Sequence, residues 1–239
     1  MRINIWNAFA FVAISVHSVP LAAQRAPRLV SAGGELVAID LKRVPRGEWS
    51  FGSQMRAADG AEQVGGLSEK LTVFDTLVGT RVLLGYRVVS TSTRGSVGGT
   101  FGLMDARDGR LLIEEYQGPD GSTRLVGDST FRRATDDVAM DQAAVTDSQL
   151  WLLLAGLPMQ AAEAMQVTLR RLSPRASSSD LATITLARGT TPQGAHPVWV
   201  AELRSGETHT TVMFEAEGHA IVRRELAMFD GGALILTRN

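Results

Sequence analysis

Short turn signals recur along this chain, at Asp108-Gly109, Pro119-Asp120-Gly121, Ser205-Gly206, Glu217-Gly218 and Gly231-Gly232, with brief apolar-rich runs between them. Tight turns rich in glycine and aspartate join antiparallel strands, because their central positions take the positive φ that these residues tolerate. The runs agree with this. From Val82 to Val88 the even positions are Val82, Leu84, Tyr86 and Val88, while Gly85 and Arg87 stand on the odd face, the pattern of a half-buried strand. LVAIDL, LTVFDTL, RLLIEEY, MQVTLRRL, ATITLA, VWVAEL, TTVMF, AIVRREL and ALILT read in the same way. A mainly β, antiparallel fold of about ten strands is predicted.

One segment departs from the β pattern. TDSQLWLLLAGLP has Thr146 and Gln149 at capping-box spacing, five apolar residues from Leu150 to Leu154, then Gly156 and Pro158 as stop signals, which predicts a short helix from Asp147 to Gly156. Leu150, Trp151, Leu153, Leu154 and Leu157 share no single stripe, so the helix should be buried on more than one side, as one lying across a sheet would be. Trp151, Leu153, Leu154 and Leu157 are therefore candidates to line either the core or an apolar groove. A buried strand is the competing reading of so short an apolar run; the cap and the stop favour the helix.

The first 23 residues, MRINIWNAFAFVAISVHSVPLAA, carry one early cation at Arg2, an apolar stretch from Ala8 to Val16 and small residues at Ala22 and Ala23. That is the build of a secretory signal peptide, with cleavage expected after Ala23 and Gln24 as the new N-terminus. The apolar stretch is far shorter than the ~20 residues a membrane span needs, and His17, Ser18 and Pro20 interrupt it. Residues 24–239 then read as a single β-rich domain, periplasmic or secreted, with no stable membrane span. Their formal charge is −2, from 23 cationic and 25 acidic side chains, which gives no nucleic-acid footprint. Cysteine is absent, so disulfides, thiolate metal sites and a cysteine nucleophile are excluded. Ser173 to Asp180, SPRASSSD, reads as a polar loop, and no repeat of the kind that builds propellers or solenoids is evident.

RGSVGGTFG, Arg94 to Gly102, raises the question of a phosphate cradle or a nucleophile. A cradle places glycines where a strand turns into a helix, so that free N–H groups face the anion. Here the residues after Gly102 continue as strand, turn and strand, and the P-loop lysine is missing. Ser96 lacks the flanking glycines of the nucleophile elbow. The stretch is expected to be a hairpin turn followed by a glycine-bearing strand, which suits a strongly curved sheet because missing side chains let a strand bend or a neighbour approach.

His196, His209 and His219 fall in the C-terminal hairpins, where His209 and His219 could pair across the Glu217-Gly218 turn near Glu215. No close-spaced ligand motif accompanies them, so surface positions and no metal are expected. Asp136, Asp137, Asp141 and Asp147 lack calcium-loop spacing. Glu114 and Glu115 point to opposite faces of one strand and cannot flank a glycosidic bond; they read as solvated. In the doublets Arg132-Arg133, Arg170-Arg171 and Arg223-Arg224, one member is expected in solvent and the other paired with an acid, the functional alternative being a rim for lipid phosphate or an acidic peptide. No catalytic, cofactor-binding or metal-binding residue emerges.

Taken in order, the signal peptide, the meander, the central LWLLLAGLPM, then VWVAEL and TTVMFEAEGHAIVRREL resemble an uncharacterised group of periplasmic half-barrel proteins related to the lipoprotein carriers. The resemblance covers residues 45–230 or so. It implies a strongly curved antiparallel sheet, a half-barrel, wrapped around one short buried helix, with an apolar concavity able to hold acyl chains. The function it implies is non-enzymatic binding of a lipid or a lipidated partner in the cell envelope. Two other classes stand beside it: an envelope interaction module with a filled core that binds a protein along an edge strand, and a hydrolase built on Ser96 and the histidines.

Overall fold

The structure is a computed structural model that describes residues 27–93, 95–118, 120–127, 144–159, 165–172, 179–192, 194, 196–206, 208–228 and 230–239. The signal segment, Arg132, Arg133, Asp136, Asp137, Asp141 and residues 173–178 of the polar loop lie outside the described residues.

In chain order, β1 (Val30–Ser31) precedes a meander of β2 (Gly47–Arg56), β3 (Glu62–Val78), β4 (Arg81–Ser92), β5 (Gly95–Asp105), β6 (Leu111–Gln117) and β7 (Thr123–Gly127). Next come β8 (Ala144–Val145) and the helix α1 (Asp147–Ala155). A second meander follows: β9 (Met165–Leu172), β10 (Ser179–Thr190), β11 (Pro197–Ser205), β12 (Thr208–Glu215), β13 (Ile221–Ala227) and β14 (Ala233–Arg238). All belong to one curved, unclosed sheet, joined in its middle where β14 pairs antiparallel with β2. At one end stands β7. At the other, the outer edge of β9 is taken by β1, antiparallel, and β8, parallel.

The helix forms as its caps dictate, and its leucines fill the sheet's interior. Leu150, Leu153 and Leu154 are fully buried in one cluster with Phe51, Tyr86, Met104 and Phe214 from both meanders. The mainly β, curved architecture with one short buried helix is thus present, with fourteen strands among the described residues instead of about ten. Two-residue strands such as β1 and β8 are too short to show a period. LVAIDL is a correction in the other direction: apart from a bridge at Leu36, residues 36–41 are not a strand. They run past the end of α1, where the Asp40 N–H donates to the Gly156 carbonyl at 2.8 Å and Leu41 is buried. Among the described residues no helix is long and apolar enough to cross a membrane.

From Gly95 onward the RGSVGGTFG stretch is part of strand β5, the glycine-bearing strand expected of it; Arg94 lies outside the described residues. Gly102 sits opposite Tyr86, and a Cβ there would collide with the Tyr86 ring. A strand position without a side chain is what lets the ring lie across it.

The two meanders repeat each other. Each residue of β6 has its counterpart 110 positions on, Leu111 matching Ile221 and Gln117 matching Ala227. Phe101 pairs with Glu115 as Thr211 pairs with Glu225, and a register shift falls at Leu103/Met104 and again at Met213/Phe214. The turns agree bond for bond: the Asp105 N–H donates to the Arg110 carbonyl and the Glu215 N–H to the Ala220 carbonyl, while Gly109 and His219 both take a positive φ, 73° and 56°. Asp120 and Asp230 each accept from the backbone N–H two residues on. The amino-acid pattern alone does not reveal this two-unit repeat.

Candidate functional site

Both repeated turns hold α1. Gln149, fully buried, donates from Nε2 to the Gly109 carbonyl at 2.6 Å, and the His219 ring donates from Nδ1 to the Ala155 carbonyl at 2.7 Å. The same position in each turn thus fastens one end of the helix, by backbone in the first meander and by side chain in the second. Satisfying a late helical carbonyl is a normal use of a basic side chain. At the start of α1 the capping box is complete: Thr146 Oγ1 accepts from the Gln149 N–H at 3.2 Å, and Gln149 Oε1 accepts from the Thr146 N–H at 3.4 Å.

Thr146 also donates to Glu114 Oε2 at 2.7 Å, and Tyr86 donates to the same oxygen. Glu114 is 7 % exposed. Burial, and then the adjoining carboxylate, push the Tyr86 hydroxyl well above its ordinary range, so it stays a donor. This corrects the expectation that Glu114 is solvated. Glu115 does face outward, as strand alternation requires.

Row by row, Tyr86, Gly102 and Glu114 are consecutive partners across β4, β5 and β6. The matching row of the second meander is Ala201, Val212 and Arg224. Where the first row has an acid, the second has a base. Arg224 pairs with Glu69, their side chains 12 % and 10 % exposed, and its guanidinium lies 5.3 Å from the Phe51 ring centre. Burial lowers its pKa to about 10, which leaves it a cation at neutral pH. Its Nε has no hydrogen-bond partner among the described residues.

The Arg224–Glu69 pair borders a cavity of about 380 Å³ between the N-terminal half of α1 and the sheet. Trp151, Leu152, Leu71, Val88 and Leu226 supply apolar wall; Ser90, Thr100, Ser148, Thr208 and Thr210 supply hydroxyls. The volume falls in the range of small-molecule sites, roughly 300–1,000 Å³.

Of the four residues marked by the helix pattern, Trp151 lines this cavity and is 8 % exposed, whereas Leu153, Leu154 and Leu157 are fully buried in the core and do not line it. The histidines do not come together. His196 and His209 are exposed, and because Thr210 pairs with Leu226, His209 sits at the opposite end of its hairpin from His219. His219 itself is buried, against the surface position expected for it. Among the described residues no group of three or more His, Asp or Glu could hold a metal. Asp147 lies in the first turn of α1. For Arg170 and Arg171 only the backbone, in β9, is described, and the Ser96 side chain lies outside the described residues. Both members of Arg223-Arg224 are largely buried: Arg223 meets Glu225 at 3.3 Å, so neither is the solvated residue expected of one. Glu69 carries no motif in the sequence, and nothing there joins Tyr86 and Glu114 to the capping residue Thr146.

No family model matches the chain, and no curated protein matches its sequence. Two solved structures are similar. One is a β-barrel-like protein of a domain of unknown function from Brucella abortus, 10 % identical, with a TM-score of 0.43, covering 80 % of this chain and 94 % of that one. The other is a candidate lipoprotein from Parabacteroides distasonis, 10 % identical, with a TM-score of 0.30, covering 83 % of this chain and 97 % of that one.

Proposed function

We propose that this chain is an exported, non-enzymatic binding protein of the cell envelope that holds the apolar part of a lipid or of a lipidated partner between α1 and the curved sheet. The observation that carries the reading is the cavity of about 380 Å³ beside Trp151 and Leu152. The helix is fastened through Glu114, Gly109 and His219, so the cavity is preformed and an apolar guest meets little ordering cost. Export rests on the N-terminal segment, with residues 24–239 as one domain after cleavage. The resemblance to the lipoprotein carriers points the same way.

Native mass spectrometry of the protein purified from its own envelope, followed by solvent extraction, tests the reading. The expected result is a polypeptide beginning at Gln24 with a mass increment that is lost on denaturation and recovered as lipid. A chain that carries no increment and takes up no neutral apolar fluorophore would exclude lipid binding and leave the interaction module.

A further inference from the structure

We propose that the cavity admits an uncharged amphiphile, with its acyl chain in ester or amide linkage, and rejects the free carboxylate of a fatty acid, Glu69 being the residue that sets this choice. The inference rests on the lipid-binding reading and names the headgroup class. Among the described lining residues the charged side chains are Glu69, Asp147 and Arg224, two acids and one base. Arg224 is the group a fatty-acid carboxylate would seek, and Glu69 already occupies it. A ligand carboxylate that takes Arg224 from Glu69 strands a carboxylate whose side chain is 10 % exposed. Leaving one member of a buried pair unmatched is strongly unfavourable. A carboxylate that does not displace Glu69 becomes a third acid in the same small space. An ester or amide carbonyl meets neither penalty, because it needs only hydrogen-bond donors, and Ser90, Thr100, Ser148 and Thr208 offer hydroxyls in that wall. The matching row of the first meander shows the contrast: its charge, Glu114, is satisfied by Tyr86 and Thr146 away from the cavity, whereas Arg224 in the second meander meets Glu69 of β3 at the cavity wall.

The experiment uses the full exported chain, stripped of bound lipid and loaded with the neutral fluorophore phenylnaphthylamine, which is then displaced by monomyristin or by myristate at neutral pH. Monomyristin should displace the probe at a concentration at least about tenfold lower than myristate, equivalent to about 1.4 kcal/mol. Glu69→Gln frees Arg224, and myristate should then compete at least as well as monomyristin. The double variant Glu69→Gln/Arg224→Gln removes both charges and should keep the neutral preference; thermal unfolding shows which variants are folded. Myristate competing as well as monomyristin in the unmutated chain, or gaining nothing in folded Glu69→Gln, overturns the headgroup assignment and leaves lipid binding standing. If Glu69→Gln does not fold, the unmutated chain and the double variant decide. Failure of the fluorophore and both lipids to bind overturns the headgroup assignment together with the reading beneath it.

Discussion

The meanders β2–β7 and β9–β14 share their bonding pattern down to the turn carbonyls, yet they use it for different ends. In the first, Gly102 clears the way for Tyr86 to reach Glu114, and the whole row is spent on holding the start of α1. In the second, Val212 fills the position of Gly102, Ala201 replaces Tyr86, and Arg224 turns to Glu69 at the cavity wall. One backbone template therefore yields a helix anchor on one side and a polar wall on the other. The backbone fixes where an inward side chain stands, and the neighbour's volume decides what that side chain can reach.

Substitutions can break this contrast. The largest effect is expected for Arg224→Ala, which leaves Glu69 buried and unmatched and should lower stability by about 3–5 kcal/mol in urea unfolding. Leu154→Ala should cost about 2–5 kcal/mol through the void it opens. Because Leu154 does not line the cavity, fluorophore uptake by the folded Leu154→Ala protein should be unchanged, whereas Trp151→Ala should alter it. Glu114→Gln keeps the shape but weakens two charge-assisted bonds, an expected loss of about 1.5–3 kcal/mol. A loss equal to that of Arg224→Ala would show that both rows depend on charge alike. Gly109→Ala forces a side chain into the left-handed region, with its Cβ 2.7 Å from Leu153 Cδ2, and should cost about 1–2 kcal/mol. The counterpart His219→Gly relieves that conformation while losing the bond to Ala155, so its net effect should stay within about 1 kcal/mol.

The smallest effect is expected from acid. Burial alone would raise the Asp105 carboxyl, but the Arg81 side chain, the Arg107 N–H and the charges of Arg81 and Arg110 outweigh it and hold the group below its ordinary value. The folded state thus binds this proton less readily than the unfolded chain. The stability Asp105 contributes is complete above the unfolded value, about pH 4, and is lost as the pH falls through the lower folded value. Unfolding of Asp105→Asn against pH should show a flatter profile than the unmutated chain below about pH 4.

Much of the sheet is legible in the residues. The runs at β3, β4, β6 and β9–β14 show themselves by composition and turn spacing, and Thr146, Gln149 and Gly156 mark α1 at both ends. The site is much less so, for a physical reason visible in β6 and β13. Leu103 pairs with Ile113 and Met104 with Leu111, so Leu112 is the extra residue of a bulge; Val222 is its counterpart. A bulge shifts the inward phase by one. Leu111 and Glu114 then both face the interior, as do Ile221 and Arg224. Strict alternation counted from Leu111 would send Glu114 outward, which is why a buried acid looks like a solvated one. The repeat is hidden for a related reason. Its two copies keep Asp120 and Asp230, Gly121 and Gly231, and the turn hydrogen bonds, but exchange Glu114 for Arg224 and Tyr86 for Ala201. Hydrogen-bonding backbone and turn residues persist while the informative side chains invert.

The joint between β14 and β2 also fixes an order of events. Within each meander successive strands meet through short turns, so either half can begin to pair from nearby residues. The central seam cannot: Ala233 faces Arg56, 177 positions away, and such a contact is formed only after a long stretch of chain has been drawn together. The last strand in sequence is thus the keystone of the sheet's middle rather than one of its edges. Until it arrives, both halves expose the strands that will become their shared seam.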